Sequence, residues 1–287
     1  MNRHLSTRLL SFLTLAGSLV IGSAAPLLAK DPIQTPLFDT FNFRIEASWA
    51  DLSTEIRIDS ELLGTGTKLN FEDDLDLDAK KVIPSFQFEW QIAEHHRLGV
   101  RWQDIDRSSS AQALTEIHWG DDVIPIDADI SLGYDISQVF IDYTYYPWVH
   151  ETWAAGLGIG VRWMRIEAAL RWQDEGNQID TTSEAKGSGP LPYIYGEYRT
   201  VLAENWRLIA GLGWLSVTVG DIDGSQIVAH ASIEYLLGER WSFGAQLNLS
   251  AIDVDWNGLE NEEGQPIYTG ALTMDIDDFS VFARVRF

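Results

Sequence analysis

The residues with the clearest catalytic potential stand at alternate positions near residue 230. His230, Ser232 and Glu234 share one face if this segment is a strand, because successive side chains of a strand point to opposite sides. A base, a hydroxyl nucleophile and a carboxylate are the groups that acyl transfer requires. Positions two apart on a strand lie about 7 Å apart along it, so proton transfer would need bent side chains. The three are catalytic candidates, and polar residues that simply face an interior are the alternative.

A larger set of charged residues also alternates with apolar residues, and every base in it is an arginine. The set holds eight arginines and five acids: Arg44, Glu46, Glu89, Arg97, Arg101, Asp142, Arg162, Glu197, Arg199, Arg207, Glu234, Arg284 and Arg286. The planar guanidinium pairs two ways with carboxylates, which suits a crowded interior. Unpaired arginines would instead make an anion-favouring constriction. The small interior expected of this chain favours the ion-pair network over the constriction.

Acidic residues crowd the segments between the apolar stretches. Asp73, Asp74, Asp76 and Asp78 could offer oxygen ligands to calcium or magnesium, although they lack the glycine and the distant glutamate of a helix-loop-helix calcium site. The other loop acids are Glu72, Asp121, Asp122, Asp127, Asp129, Asp174, Glu175, Asp180, Glu184, Asp221, Asp223, Glu260, Glu262 and Glu263. Solvated negative charge is the favoured interpretation, and divalent cations that bridge the loops to anionic lipopolysaccharide are the alternative.

Short polar turns alternate with long polar segments along the chain. The turns lie at 93–96, 148–152, 203–205 and 238–240, and the long segments near 59–80, 105–127, 173–190, 220–225 and 256–270. Short turns on one side and long loops on the other are typical of outer-membrane barrels. The pattern predicts an all-β fold, a closed antiparallel transmembrane β-barrel of about ten strands, with eight or twelve as alternatives. The predicted strands are 40–58, 80–92, 97–118, 124–146, 152–172, 190–202, 206–219, 225–237, 241–255 and 271–287.

One face of these strands is apolar and rich in aromatic residues. Trp153, Trp206 and Trp241 each begin a strand beside a short turn, as in the interfacial girdle of membrane barrels. A soluble barrel or sandwich would also alternate but would not need tryptophan repeatedly at one end. The apolar parity changes within 124–146 and again within 152–172, which predicts a β-bulge near Ser137 in the first of these strands.

The amino-terminal segment has the features of a secretory signal. Arg3 and Arg8 precede an apolar run from Leu9 to Ala29 that is interrupted by small residues, so we expect 1–29 to be cleaved and 30–287 to form one barrel domain. The chain has no cysteine, which excludes a lipoprotein anchor and disulfides. Its net charge of −23 excludes nucleic acid as a partner.

The final residues alternate regularly, with Phe279, Val281, Ala283, Val285 and Phe287 on one face and only Phe282 out of phase. This strand resembles the final strand of Gram-negative outer-membrane β-barrels. The resemblance implies that Phe279, Val281, Val285 and Phe287 form the signal read by the barrel-insertion machinery. It also implies a location in the bacterial outer membrane, with membrane lipid and lipopolysaccharide as partners.

Two enzyme families share single features with the chain. The pair His230 and Ser232 resembles the His-x-Ser pair of outer-membrane lipid A deacylases, whose acid comes from the next strand, where this chain has Gln246 and Asn248. Ten strands also resemble the omptin proteases, but no omptin motif is present, and His118 near Asp121 and Asp122 is the only histidine with suitable acidic neighbours. We therefore expect a non-enzymatic, cofactor-free barrel that serves as a small porin-like channel or a structural surface protein. An enzyme acting on lipid A or peptides is the alternative.

Overall fold

The strands close into a ring. A computed structural model describes residues 35–60, 66–119, 122–174, 179–219, 222–260 and 266–287. The ten long strands are β1 (Phe41–Ser60), β3 (Lys80–Ala93), β4 (His96–Gln112), β7 (Asp129–Val149), β8 (Trp153–Asp174), β9 (Ile179–Ala203), β10 (Trp206–Val219), β11 (Ile222–Leu237), β12 (Trp241–Glu260) and β13 (Pro266–Arg286). Each pairs antiparallel with the next, and β13 returns to β1. Phe41 and Phe287 exchange backbone hydrogen bonds of 3.0 and 2.8 Å at this closure.

The predicted closed ten-strand barrel is confirmed. The main difference lies in the third long segment, where β9 begins at Ile179 instead of near residue 190. The predicted signal peptide, residues 1–29, lies outside the described residues. Among the described residues, no helix is long and apolar enough to cross a membrane.

Near the short turns the barrel has an apolar outside and a polar inside. Exposed outward residues include Phe43, Ile45, Ile141, Leu157, Ile159, Leu212 and Leu247. Trp206 and Trp241 lie exposed beside the turns, while Trp49, Trp163 and Trp214 lie exposed further along their strands. Apolar residues between two levels of aromatic side chains are the surface that a bilayer requires. We call this part the membrane half.

Beyond the membrane half the wall divides into two sheets. In the described residues the β3–β4 register ends at Ser85 and Gln103, and the β9–β10 register ends at Ile194 and Trp214. Prolines lie just beyond both points, at Pro84 on β3 and at Pro190 and Pro192 on β9. Since proline has no backbone N–H, it cannot donate to a neighbouring strand. One sheet therefore contains β4, β7, β8 and β9, and the other contains β10 to β13, β1 and β3.

The two sheets pack around an apolar core, like a soluble β-sandwich. Its buried members from both sheets include Leu52, Ile83, Ile105, Ile130, Leu132, Tyr134, Ile136, Leu170, Ile252, Met274 and Ile276. We call this part the sandwich half. Strands such as β8, with 22 residues, are about 70 Å long, which is far more than a hydrocarbon layer of about 30 Å needs even with tilt.

Two small elements cover the top of the sandwich core. The helix α1 (Phe71–Asp74), which follows the short strand β2 (Leu69–Asn70), buries Phe71 completely. The hairpin of β5 (Ile117–Trp119) and β6 (Asp122–Ile124) buries Ile117, Trp119 and Ile124. Arg107 on β4 holds the first of these covers. It lies 2.7 Å from Glu72 and donates to the carbonyl of Asp78 at 2.5 Å.

The predicted bulge near Ser137 is wrong. The registers of β7 with β4 and β8 run without a shift from Asp129 to Tyr145. Even-numbered residues of β7 face inward throughout, from Ile130 in the apolar core to Tyr146 at the opposite end. The apolar parity changes because the surroundings change: the membrane half places apolar residues outside against lipid, whereas the sandwich half places them inside, away from water. The parity change in β8 has the same cause.

Candidate functional site

The end of the barrel nearest the short turns is filled by the segment that precedes β1. Leu37 and Phe38 are buried there against Tyr146. Asp39 follows and is buried among arginines: it lies 3.1 Å from Arg207 and 2.6 Å from Arg286. Arg207 also donates to the carbonyl of Leu37 at 3.0 Å. This periplasmic seal joins an amino-terminal segment to strands from the far end of the chain.

Glu234 belongs to the same seal and is also completely buried. Its carboxylate accepts a 3.0 Å hydrogen bond from Arg207, lies 3.3 Å from Arg284 and accepts a hydrogen bond from the hydroxyl of Ser242. The seal thus holds Asp39 and Glu234 against three arginines. Arginine's fork allows each guanidinium to serve more than one acceptor, which a lysine could not do as well.

A second layer lies next to the seal and contains equal numbers of opposite charges. Arg97 contacts Glu89 at 2.5 Å and Glu197 at 2.7 Å, while Arg199 contacts the same two carboxylates at 3.3 and 2.5 Å. Tyr146 donates to Glu197 at 2.5 Å. Four buried charges are therefore mutually paired, as burial away from water requires.

The third layer is a line of side chains that face one another on adjacent strands. In cross-strand order it runs Arg284, Arg44, Gln87, Arg101, Phe140 and Arg162. We call it the arginine row. Arg44 contacts Glu46 and donates to Gln246 at 2.9 Å. Arg101 and Arg162 share the ring of Phe140, at 4.1 and 4.9 Å from its centroid, and neither has a carboxylate within 4.0 Å among the described residues.

All twelve residues predicted to line the lumen face the interior. Arg101 and Asp142 are partly buried, and the other ten are buried: Arg44, Glu46, Glu89, Arg97, Arg162, Glu197, Arg199, Arg207, Arg284 and Arg286. Asp142 accepts a hydrogen bond from Tyr193. Sequence reasoning missed Asp39, because this residue precedes the first strand and alternation along a strand therefore cannot predict which way it faces. It also missed Asp278, which shares parity with Arg284 and accepts a hydrogen bond from Asn248 at 2.8 Å.

The catalytic candidates occupy one strand face but do not form a relay. Glu234 is held in the periplasmic seal, and the hydroxyl of Ser232 donates to the carbonyl of Ile209 at 3.5 Å. His230 lies over Gly211, where any larger residue would collide with the imidazole. Among the described contacts, no hydrogen bond joins any two of the three residues. Within the part of the chain that the structure describes, no base is therefore positioned to activate Ser232.

Among the candidate metal ligands Asp73, Asp74, Asp76 and Asp78, the carboxylate of Asp74 supports local structure. Asp74 accepts from the backbone N–H of Asn70 at 2.8 Å, while the Asn70 side chain caps α1 by accepting from Glu72 and Asp73. The described residues contain no group of three or more His, Asp or Glu that could hold a metal ion. His118 lies 3.1 Å from Glu116. Nine loop acids lie outside the residues whose side chains are described: Asp121, Asp174, Glu175, Asp180, Glu184, Asp221, Glu260, Glu262 and Glu263.

The terminal strand has its aromatic face outside. Phe279, Val281 and Phe287 are exposed, and Val285 shares their face. Phe282, the residue out of phase, points inward with its ring 3.7 Å from the guanidinium carbon of Arg44. Its role is thus to support the arginine row. The assignment of this strand as the insertion signal stays a prediction.

A small cavity remains between the layers. It has a volume of about 90 Å³, and its lining includes Arg44, Arg101, Arg284, Tyr193, His230 and Gln246. A smaller space of about 30 Å³ adjoins Arg101, Phe140 and Arg162. The sandwich core lies on one side of these spaces, and the periplasmic seal lies on the other.

Comparison with known proteins gives similarity of structure alone. No protein-family model and no curated protein sequence matches the chain significantly. The outer membrane protease OmpT from Escherichia coli has 9% identity and a TM-score of 0.53, covering 86% of this chain and 97% of OmpT. The outer membrane protein OprG from Pseudomonas aeruginosa also matches, with 11% identity, a TM-score of 0.35, and coverage of 88% of this chain and 99% of OprG. The P. putida toluene transporter TodX matches with 10% identity, a TM-score of 0.33, and coverage of 91% of each chain. With its exposed apolar belt and closed ring of ten strands, this protein has the fold of the small outer-membrane β-barrels.

Proposed function

We propose that the protein is a closed, non-enzymatic structural barrel that holds a folded β-sandwich above the outer membrane. The observation that carries this proposal is the filling of the interior along its length. The periplasmic seal, the paired charges, the arginine row and the sandwich core follow one another along the barrel axis. Arg207, Glu234, Phe71 and Ile83 are all completely buried within this sequence of layers.

Packing supports a closed barrel over an open pore. A barrel of about this size has an interior that side chains can fill, and here the fillers are long arginines and aromatic rings. The two interior cavities described above measure about 90 and 30 Å³, which is room for a few water molecules each. A solute crossing the barrel would have to displace Phe38 and Asp39 at one end and Phe71 at the other.

The enzyme alternative receives less support from the same geometry. Ser232 lies inside the closed membrane half, and Glu234 is engaged by Arg207 and Ser242. Fold similarity to a protease does not transfer its activity, because function depends on the site and not on the fold. A structural role requires none of these groups to react.

Electrical recording tests the closed interior. We expect folded wild-type protein in planar lipid bilayers to give no resolved conductance steps, since the seal and the sandwich core leave ions no continuous path. Heat-modifiable gel mobility of the same sample would show that the barrel is folded. Reproducible single-channel steps from folded protein would contradict the proposal and favour a porin-like channel.

We also propose that divalent cations link the sandwich half to the phosphates of lipopolysaccharide. Exposed acids lie on neighbouring strands just beyond Trp49 and Phe279, and Asp51 directly faces Asp277 across β1 and β13. Asp253 and Asp275 extend the same surface. Carboxylates at the level of anionic headgroups would repel them without a bridging cation.

Thermal unfolding tests this link. In membranes that contain lipopolysaccharide, we expect calcium or magnesium to raise the unfolding temperature and a chelator to lower it, because the cations neutralise facing carboxylates. The double variant Asp51→Asn, Asp277→Asn should respond less than the wild type. An unfolding temperature that neither cations nor chelator change would count against the link.

A further inference from the structure

We infer that the arginine row binds one small oxyanion inside the barrel, in the cavity between Arg44, Arg101 and Arg284. The inference deepens the closed barrel proposed above and rests on it. The ligand class is phosphate, sulfate or a small carboxylate, because guanidinium groups recognise planar or tetrahedral oxygen arrays through paired hydrogen bonds.

Charge along the row is the first argument. Four arginines occur in six consecutive cross-strand positions, with no acid among them, and Arg44 faces Arg284 directly. Like charges placed opposite one another on a sheet repel. Glu46 pairs with Arg44 and Glu234 pairs with Arg284. Among the described residues, Arg101 and Arg162 have no carboxylate within 4.0 Å; their close partners are Phe140, Gln138 and Ser250, and Arg101 interacts with Glu46, Asp142 and Asp278 only over longer distances. An enclosed positive charge without a carboxylate partner is costly unless an anion accompanies it.

Unused hydrogen-bond donors are the second argument. Nε of Arg44 and Nε of Arg284 are buried without a hydrogen-bond acceptor among the described residues, whereas Nη1 of Arg284 lies 3.3 Å from Glu234 in the seal. These side chains are only 4% and 1% exposed, and both line the cavity. Buried donors are nearly always satisfied in folded proteins, so two unsatisfied guanidinium donors on residues that line one cavity are consistent with an acceptor bound there.

The acids around the cavity do not fill this role. Glu89 and Glu197 are paired with Arg97 and Arg199, and Asp142 accepts from Tyr193. Neutral groups complete the lining: Gln87, His230, Ser232 and Gln246 can each orient an oxygen of the ligand. A volume of about 90 Å³ suits an ion of a few heavy atoms.

The wall beside the cavity offers the shortest way in. Tyr193 on β9 and Gly213 on β10 line the cavity. The described β9–β10 register ends at the pair Ile194 and Trp214, so Gly213 lies one position inside that end and Tyr193 lies one position outside it. Beyond that point Pro190 and Pro192 deny β9 two backbone donors. Local opening of this seam would give an ion access to the cavity.

Titration calorimetry on the folded barrel tests the site. Protein purified in detergent without phosphate or sulfate is titrated with sodium phosphate, sodium sulfate and sodium acetate, with sodium chloride held constant. We expect saturable binding at one site per chain for at least one of the three. The variant Arg101→Gln should bind about tenfold to a hundredfold more weakly, since it loses a charged donor without enlarging the cavity much.

Arg165→Gln is the matched control, because Arg165 lies on the outer face of the sandwich half, pairs with Glu167 and is 62% exposed. Its affinity should equal that of the wild type. Absence of saturable binding for all three salts, or equal affinity in Arg101→Gln and the wild type, would overturn the inference. Heat-modifiable mobility of each variant shows that the barrel has folded.

The closed barrel and the anion site can be contradicted independently, because conductance tests the first and anion binding tests the second. Saturable binding without conductance supports both the site and the closed barrel. Conductance with saturable binding that Arg101→Gln weakens would overturn the closed barrel and keep the site. No conductance and no binding would keep the closed barrel and remove the site.

Discussion

Replacement of Arg207 by methionine should destabilise the barrel by about 3–5 kcal/mol. Arg207 is completely buried and contacts Asp39, Glu234 and the carbonyl of Leu37 simultaneously. Methionine fills much of the volume but leaves two enclosed carboxylates with weaker partners. The loss should appear as a lower urea midpoint in reversible unfolding from lipid vesicles.

Arg165→Met is the control for this prediction. It removes an arginine of the outer face whose pair with Glu167 is exposed, and such pairs contribute about 0–1 kcal/mol. The double variant Asp39→Asn, Arg207→Met should lose less than the sum of its single variants, because it removes the unpaired charge together with its partner. Equal midpoints for Arg207→Met and Arg165→Met would show that the periplasmic seal contributes nothing to stability.

Replacement of Leu132 by aspartate should unfold the sandwich half, at a cost of about 4 kcal/mol. Leu132 is 2% exposed and lies in the apolar core on the inward face of β7. The described residues of this core are apolar, so a carboxylate there is surrounded by groups that cannot pair with it and cannot reach water without opening the two sheets. We expect rapid proteolysis of the extracellular part in vesicles, while the membrane half stays protected.

Ser131→Asp provides the matched comparison, since Ser131 precedes Leu132 on the same strand and is exposed on the outer face. It should leave proteolysis close to the wild-type rate. This pair of variants also separates the continuous β7 from a strand with a bulge near Ser137. A bulge would place Leu132 outside and Ser131 inside, so the two variants would exchange their effects.

The amount of structure that sequence could predict differs between the two halves. In the membrane half, the alternation of the sequence was enough to place Arg44, Arg97, Arg199 and Arg284 inside. Lipid requires an apolar exterior, and successive side chains of a strand point to opposite faces, so the polar positions must face the interior. In the sandwich half the inward-facing positions of the same strands are apolar and the outward-facing positions are polar, which is the reverse of the membrane half. Ile130 and Ile136 looked like lipid-facing residues of a slipped strand, since a local pattern does not say which side of the sheet meets water.

Sequence reasoning could not find residues whose role depends on distant partners. Arg107 looks like one more polar residue of an extracellular loop until Glu72 and Asp78 are folded against it. Asp39 stands outside any strand and yet neutralises Arg207, which is 168 residues away. Phe282 seemed an exception to alternation, although it supports Arg44 from the inside.

The sequence by itself predicted a closed antiparallel barrel of about ten strands, its apolar belt and the inward direction of the arginines, because each follows from a period of two residues and from turn composition. Only the tertiary structure decided that the strands number ten, how the interior charges are paired, that the outer part is a sandwich, and that His230, Ser232 and Glu234 make no relay. The physical reason is that pairing depends on side chains from strands far apart in sequence. Two arginines can share a face whether or not a carboxylate from another strand reaches them.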